Sequence, residues 1–295
     1  MADNEQRRLR YIVGYLPDDR GLDALALARL LSGEPPVADL VVCTVVPQTS
    51  AAATGPGASG YNRLITDRVA AAQQEVSTYL AGAPAEYVVH LSSSAARGLL
   101  EFADRNAADL LIVGSARYGV MGRYVVGSVG GALQHASGSA LAFAPEGFAA
   151  TEADHLERVS CGYSGSEDDV ADLHTAVELC QRYDVPLRLI TFVFPEYPMF
   201  QNRVDDRPAR DREAARAAEQ LRAVAASLPD GLQVQTLVAR GGNVAQAMAQ
   251  PDWKRGEVLV LASARLGPVA RVFLGSTSGK LLRVCPVPVI VGPRG

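Results

Sequence analysis

The segment Gly114–Ser128 recurs as Ala262–Ser276, 148 residues further along the chain, and that repeat limits the architectures open to it. In the first copy Leu110-Leu111-Ile112-Val113 reads as a buried strand, a glycine-rich turn follows, and Val129–Ala136 reads as the opening of a helix. In the second copy Val258-Leu259-Val260-Leu261 is the strand that leads into the turn. Other landmarks share the same offset: Gly14-Tyr15 with Gly162-Tyr163, Pro47 with Pro195, Arg117 with Arg265, Gly119 with Gly267, Arg123 with Arg271, and Gly127-Ser128 with Gly275-Ser276. A period this long marks a duplicated domain rather than a solenoid unit. The 295 residues suit two domains of roughly 150 each. The polar stretch Pro145–Asp154 is the natural joint, which predicts domains at 1–147 and 155–295 with a linker at about 148–154.

Within the first half, strands are predicted at Arg10–Leu16, Leu40–Val46, Tyr87–Leu91, Ala107–Val113 and Ala140–Ala144. Asp18-Asp19 supplies capping chemistry for a helix running to Leu31. Pro47–Gly60, rich in small residues and turn formers, reads as a loop. A helix is predicted over Asn62–Leu80, with Ile65, Val69, Ala72, Val76 and Tyr79 on one stripe, and another over Ala95–Asn106. The second half repeats this order, with strands near Val159–Tyr163, Leu187–Phe194, Gln233–Ala239, Val258–Leu261 and Val287–Val291. There Ser166 is the expected cap of a helix carrying Val170, Leu173, Val177 and Cys180 on one face, and Glu213–Ala226 is strongly helical. Strands alternating with helices imply right-handed crossovers and parallel sheets covered on both faces, hence two doubly wound α/β domains.

Composition removes several function classes. A net charge of −4 argues against a protein that coats nucleic acid. No apolar run approaches the roughly 20 residues that span a bilayer, and the start of the chain lacks a secretory apolar segment, so a cytoplasmic protein is expected. Cys43, Cys161, Cys180 and Cys285 are scattered through apolar runs and read as reduced core thiols, with no metal-ligand spacing to the histidines. Asp18, Asp19, Glu167, Asp168 and Asp169 are explained as first-turn helix carboxylates. His135 and His174 read as packing residues. No nucleophile–base pair stands out, and the chain is not assigned an enzymatic reaction.

What remains is the strand–turn–helix unit itself. Freed backbone N–H groups and the positive end of a helix dipole make an anion site there. Gly114, Gly119 and Gly127 in one half, and Gly267 and Gly275 in the other, let backbone approach a ligand, while Ser128 and Ser276 can add a hydroxyl. Val129 and Thr277 follow them into the helix mouth.

With these residues in place the chain resembles tandem universal stress proteins over nearly its whole length. That family carries Gly-x2-Gly-x9-Gly-Ser/Thr between its fourth strand and last helix, matched here by Gly114 and Gly127-Ser128 and, in the second half, by Gly275-Ser276. The segments His135–Phe143 and Val284–Val291 resemble its closing strand. The resemblance implies a five-stranded parallel sheet of order 3-2-1-4-5 in each half and pairing of domains through their fifth strands. It also implies an ATP site, with Mg possible beside it, at the carboxyl ends of strands 1 and 4. Adenine would then lie near Thr44-Val45 in one half and Phe192-Val193 in the other.

Departures from the family pattern leave two readings open. Arg117 and Arg265 replace the second glycine, Ala262 the first glycine of the second half, and Leu16 and Ser164 the strand 1 aspartate. In one reading the arginines, with Arg123 and Arg271, contact phosphate through their forked donors. The protein is then a nucleotide-responsive stress regulator. In the other it is a nucleotide-free interaction module that dimerises, its loops merely shaping the fold. A remote third reading compares Ser164–Asp169 with the phosphate loop of N-type ATP pyrophosphatases. The apolar group Tyr197-Pro198-Met199-Phe200 is expected to cover a cleft or seal a contact between halves or chains.

Overall fold

The computed structural model of the protein describes residues 8–33, 37–47, 58–81, 83–115, 138–166, 169–195, 207–261 and 276–292. In the first half the strands are β1 (Leu9–Gly14), β2 (Ala38–Pro47), β3 (Ala85–Ser92), β4 (Leu110–Gly114) and β5 (Ala140–Ala144). The helices between them are α1 (Asp19–Ser32), α2 (Ala58–Leu80) and α3 (Ala95–Arg105). The second half has β6 (Arg158–Gly162), β7 (Leu187–Val193), β8 (Val234–Arg240), β9 (Glu257–Leu261) and β10 (Val289–Val291), with α4 (Asp169–Tyr183), α5 (Arg207–Ser227), α6 (Val244–Met248) and α7 (Ser276–Val284). All these strands join one sheet in the order β3-β2-β1-β4-β5-β10-β9-β6-β7-β8. Each half therefore has the expected 3-2-1-4-5 order, parallel throughout. The halves meet at their fifth strands, antiparallel, with Ile290 opposite Ala142.

Successive strand residues feed two apolar layers, as the pleat requires. Tyr11, Val13, Val42 and Ile112 pack beneath α1 and α2 in a layer that continues under α4 and α5. Ile12, Val41, Leu111 and Phe143 pack against α3 on the other side, in a layer shared with α6 and α7. Helices α1 and α2 thus cover one face and α3 the other, so the winding direction reverses between β1 and β4. Asp18 starts α1: its extended backbone and its carboxylate, which accepts the Gly21 N–H at 3.1 Å, form an N-cap. The Arg20 guanidinium closes on the same carboxylate, with Nε at 2.9 Å.

Two polar contacts flank the strand joint, one crossing between the halves and one holding the chain after β5 against α1. Tyr183 donates its hydroxyl to the Leu31 carbonyl, with the Tyr11 hydroxyl 3.4 Å away. Asp23 accepts the N–H groups of Gly147 and Ala149 at 3.0 and 2.8 Å, fixing the single 3-10 turn Phe148–Thr151 against α1. Burial pushes the Asp23 carboxyl above its ordinary range, and the amide hydrogen bonds oppose that shift.

Several local expectations change. Helix α2 begins at Ala58, so the loop expected over Pro47–Gly60 gives way to helix at its end; residues 48–57 lie outside the described residues. Val170 is not part of the buried stripe of α4; it is 66% exposed, while Val177 and Cys180 are buried. His174 is not a packing residue either, being exposed with its Nε2 3.1 Å from Glu178 one turn on. Helix α6, five residues capped by Asn243, is shorter than the helix that the repeated order implies at this place, the counterpart of Ala95–Asn106.

Candidate functional site

The crevice between β1 and β4 is the point where an open α/β sheet offers its strand ends to a ligand. Gly14 pairs with Val113 there, and the chain leaves β1 through Tyr15-Leu16 and β4 through Gly114-Ser115. A Cβ on Gly114 would fall 2.1 Å from the Arg20 carbonyl oxygen, so glycine is needed for the first turn of α1 to press against the end of β4. Ser115 is buried and its N–H reaches the Ala144 carbonyl at 3.0 Å. On the other flank Thr44 is buried, donates to the Tyr15 carbonyl at 3.3 Å and accepts from the Tyr87 hydroxyl at 3.0 Å. The Tyr15 hydroxyl reaches Glu75 of α2 at 2.5 Å, and burial together with that carboxylate raises its pKa far above the usual phenol value. Leu16, 40% exposed, is the residue that faces solvent at this mouth. A cleft of about 990 Å³ opens beside it between α1 and α2, lined by Pro17, Leu22, Arg68, Ala72, Glu75 and Tyr79 among others.

In the second half the amides of the turn that leaves β6 are taken by a side chain of the same turn. Asp169, 1% exposed, accepts the N–H groups of Ser164, Gly165 and Ser166 at 2.7, 2.8 and 3.0 Å, and the Ser164 hydroxyl at 3.0 Å. Gly165 takes φ +84°, the left-handed conformation that turns these amides inward. Helix α4 begins at Asp169, three residues beyond Ser166, so the expected cap residue instead lies in the turn whose amides Asp169 gathers. The turn likened to a pyrophosphatase phosphate loop therefore binds a carboxylate of the same chain.

Thr191 donates to the Tyr163 carbonyl at 2.7 Å, as Thr44 does to Tyr15. The ladders pair Gly14 with Cys43 and Gly162 with Ile190, so the counterpart of Thr44-Val45 is Thr191-Phe192, one residue earlier than Phe192-Val193. Phe192 is half-buried and Val193 is buried in the strand. Ser276 opens α7 and Thr277 is exposed in its first turn. Arg117, Gly119, Gly127, Ser128, Val129, Arg265, Gly267 and Gly275 lie outside the described residues, as do Arg123, Arg271, His135 and Tyr197–Phe200. The structure thus brings Thr44, Val45 and Gly114 to neighbouring strand ends around Tyr15. The four thiols are free and buried, and burial pushes Cys43 and Cys180 up to about 12.

One constellation escaped the sequence reading, at the opposite ends of the strands in the second half. Glu257, fully buried, takes Arg158 at 2.6 Å and Arg188 at 2.5 Å on its two oxygens, and Ser160 joins the second. The Asp252 carbonyl accepts from both arginines, and the Arg188 guanidinium lies 4.8 Å from the centre of the Trp253 ring. The same 148-residue offset puts Arg10 beside Asp109 in the first half, but there the carboxylate accepts the Arg10 backbone N–H at 2.8 Å, and the guanidinium donates to the Asn106 carbonyl at 3.4 Å.

Comparisons with known proteins agree with this architecture. The universal stress protein family model matches twice, over residues 12–140 and 155–293. Universal stress proteins of Mycobacterium tuberculosis and Mycobacterium bovis are each 33% identical over 290 residues, which covers 96% of this chain and 99% of theirs. Among solved structures, a universal stress protein of Archaeoglobus fulgidus superposes with a TM-score of 0.67 at 18% identity, covering 98% of this chain and 100% of its own. A putative universal stress protein of Pseudomonas aeruginosa gives a TM-score of 0.58 at 13% identity, covering 97% and 93%. A duplicated 3-2-1-4-5 sheet, a double match to one family model and full-length relatives lead to one conclusion: the chain belongs to the universal stress protein family, as a tandem member.

Proposed function

We propose that the protein is a stress-response regulator that binds an adenine nucleotide in its first half, with the two halves dividing at about 148–154. The observation that carries this reading is the reversal of winding between β1 and β4, with Gly114 at the crevice leading into the glycine-rich segment. Family membership supports ATP as the ligand, with Mg accompanying its phosphates. Gly119, Gly127, Ser128 and Val129 are the proposed backbone contacts, and Arg117 the proposed side-chain donor. Arg265, Gly267, Gly275, Ser276 and Thr277 are the corresponding set in the second half, where Asp169 already occupies the amides of the turn after β6.

A second reading, a nucleotide-free interaction module, is favoured by that same occupancy and by Leu16 at the first mouth. Nucleotide released from the purified protein, identified by absorbance and mass spectrometry, and a thermal shift with millimolar ATP separate the two. ATP is expected to raise Tm in the native protein, and Gly127→Val to abolish that shift by placing a branched side chain where phosphate must approach. An empty protein with no shift would end the nucleotide reading. Unchanged affinity in the variant would remove this loop as the site.

A further inference from the structure

Strand β3 ends the sheet, and its ladder is to β2 alone among the described residues. Its eight residues, Ala85-Glu86-Tyr87-Val88-Val89-His90-Leu91-Ser92, include no lysine, arginine or proline. Natural edge strands usually carry such residues, because a bare row of N–H and C=O groups pairs with other chains. Val89 is 37% exposed and Leu91 57%. The opposite edge, β8, is treated differently. The Arg240 N–H is taken by Gln250 at 3.0 Å, the Arg240 side chain pairs with Asp211, and Gln235 and Thr236 put polar groups outward.

We propose that β3 docks against β3 of a second copy, antiparallel and about a twofold axis through Val88. The strand is self-complementary in that register. Tyr87 stands opposite the partner's Val89 and Ala85 opposite the partner's Leu91, each pair on one face of the extended sheet, while His90 is turned onto Phe102 and Glu101 of α3. Shifting the pairing by one residue would bring each side chain against the wrong face. The chain already closes two edges in this manner, since β5 and β10 meet antiparallel inside the molecule. Pairing β3 with β8 of another copy would instead grow an open filament, and the Gln250 bond occupies that edge. The second copy is therefore the occupant that the exposed apolar Val89 and Leu91 and the existing joint both favour, and this association does not depend on nucleotide.

Sedimentation of the full-length protein over a range of micromolar concentrations tests it. A reversible monomer–dimer equilibrium is expected, and Val89→Lys or Leu91→Lys each weaken it about tenfold or more, because the axis places the added charge in the interface twice. Far-UV circular dichroism confirms that each variant is folded; Leu91→Lys, at the more exposed position, decides the matter if Val89→Lys is not. Thr236→Lys on β8 is expected to leave the dimer unchanged. A monomer at every concentration, a dimer that keeps its affinity in the folded lysine variant, dissociation by Thr236→Lys, or growth beyond two copies would each overturn the proposal.

Discussion

Glu257 neutralises one of two arginines that share a site closed to water, and its carboxylate has no substitute nearby. Burial pulls Arg188 down from the usual guanidinium value, and Glu257 is the main group that offsets it. Glu257→Gln is expected to cost about 3–5 kcal/mol in urea denaturation, since two buried cations lose their counter-charge. The duplicated Asp109 accepts the backbone N–H of Arg10 at an exposed site, a bond that an amide oxygen can also accept, so Asp109→Asn is expected to cost less than about 1 kcal/mol. Both pairs are legible as letters, because Arg10 with Arg158 and Asp109 with Glu257 share one offset. Their burial was not legible. A charged residue at the start of a strand reads as a solvent-facing end, and the covering Trp253 and the second arginine have no counterparts in the first half. The same limit hid Asp169: a first-turn carboxylate is explained by the helix dipole, and nothing in the letters says that it also gathers three loop amides.

Elements with strong periodicity were readable, and their ends moved by a few residues. The five strands of the first half emerged from apolar runs, and Asp18 marked the start of α1 through its capping chemistry. Asp18→Ala is expected to lower stability by about 0.5–2 kcal/mol, measured as a fall in Tm, because the Gly21 N–H and the Arg20 guanidinium lose their acceptor together. Helix α6 was implied by the repeated order alone, because five residues hold less than two turns, too few for a period of their own to show. The offset between Thr44 and Thr191 slipped by one because the β6–β7 connection is one residue shorter than that between β1 and β2, which a uniform shift cannot register. Val170 and His174 failed differently. Helical spacing places residues on a stripe but does not tell how far along the helix the sheet beneath continues.

The described strands form one sheet, and its centre is the short β5·β10 pairing together with the Tyr183 contact beside it. Ile290 lies in that joint, 2% exposed, and Ile290→Ala is expected to cost about 2–5 kcal/mol. The protein has a single tryptophan, Trp253, in the second half, so its fluorescence reports that half while far-UV circular dichroism reports both. The two signals are expected to fall at one urea midpoint in the native protein and at one lower midpoint in the variant; separated midpoints would show that the halves unfold independently. Duplication and fifth-strand contact were legible from the repeat and the family resemblance, whereas the side chains that fasten the halves come from positions the two copies do not share. Antiparallel contact at the centre also sets a direction. The carboxyl ends of β1 and β4 and those of β6 and β9 open on opposite rims of the sheet, looking away from each other. A ligand seated on one rim leaves the other clear, so the two crevices are separate sites that one small molecule cannot fill together.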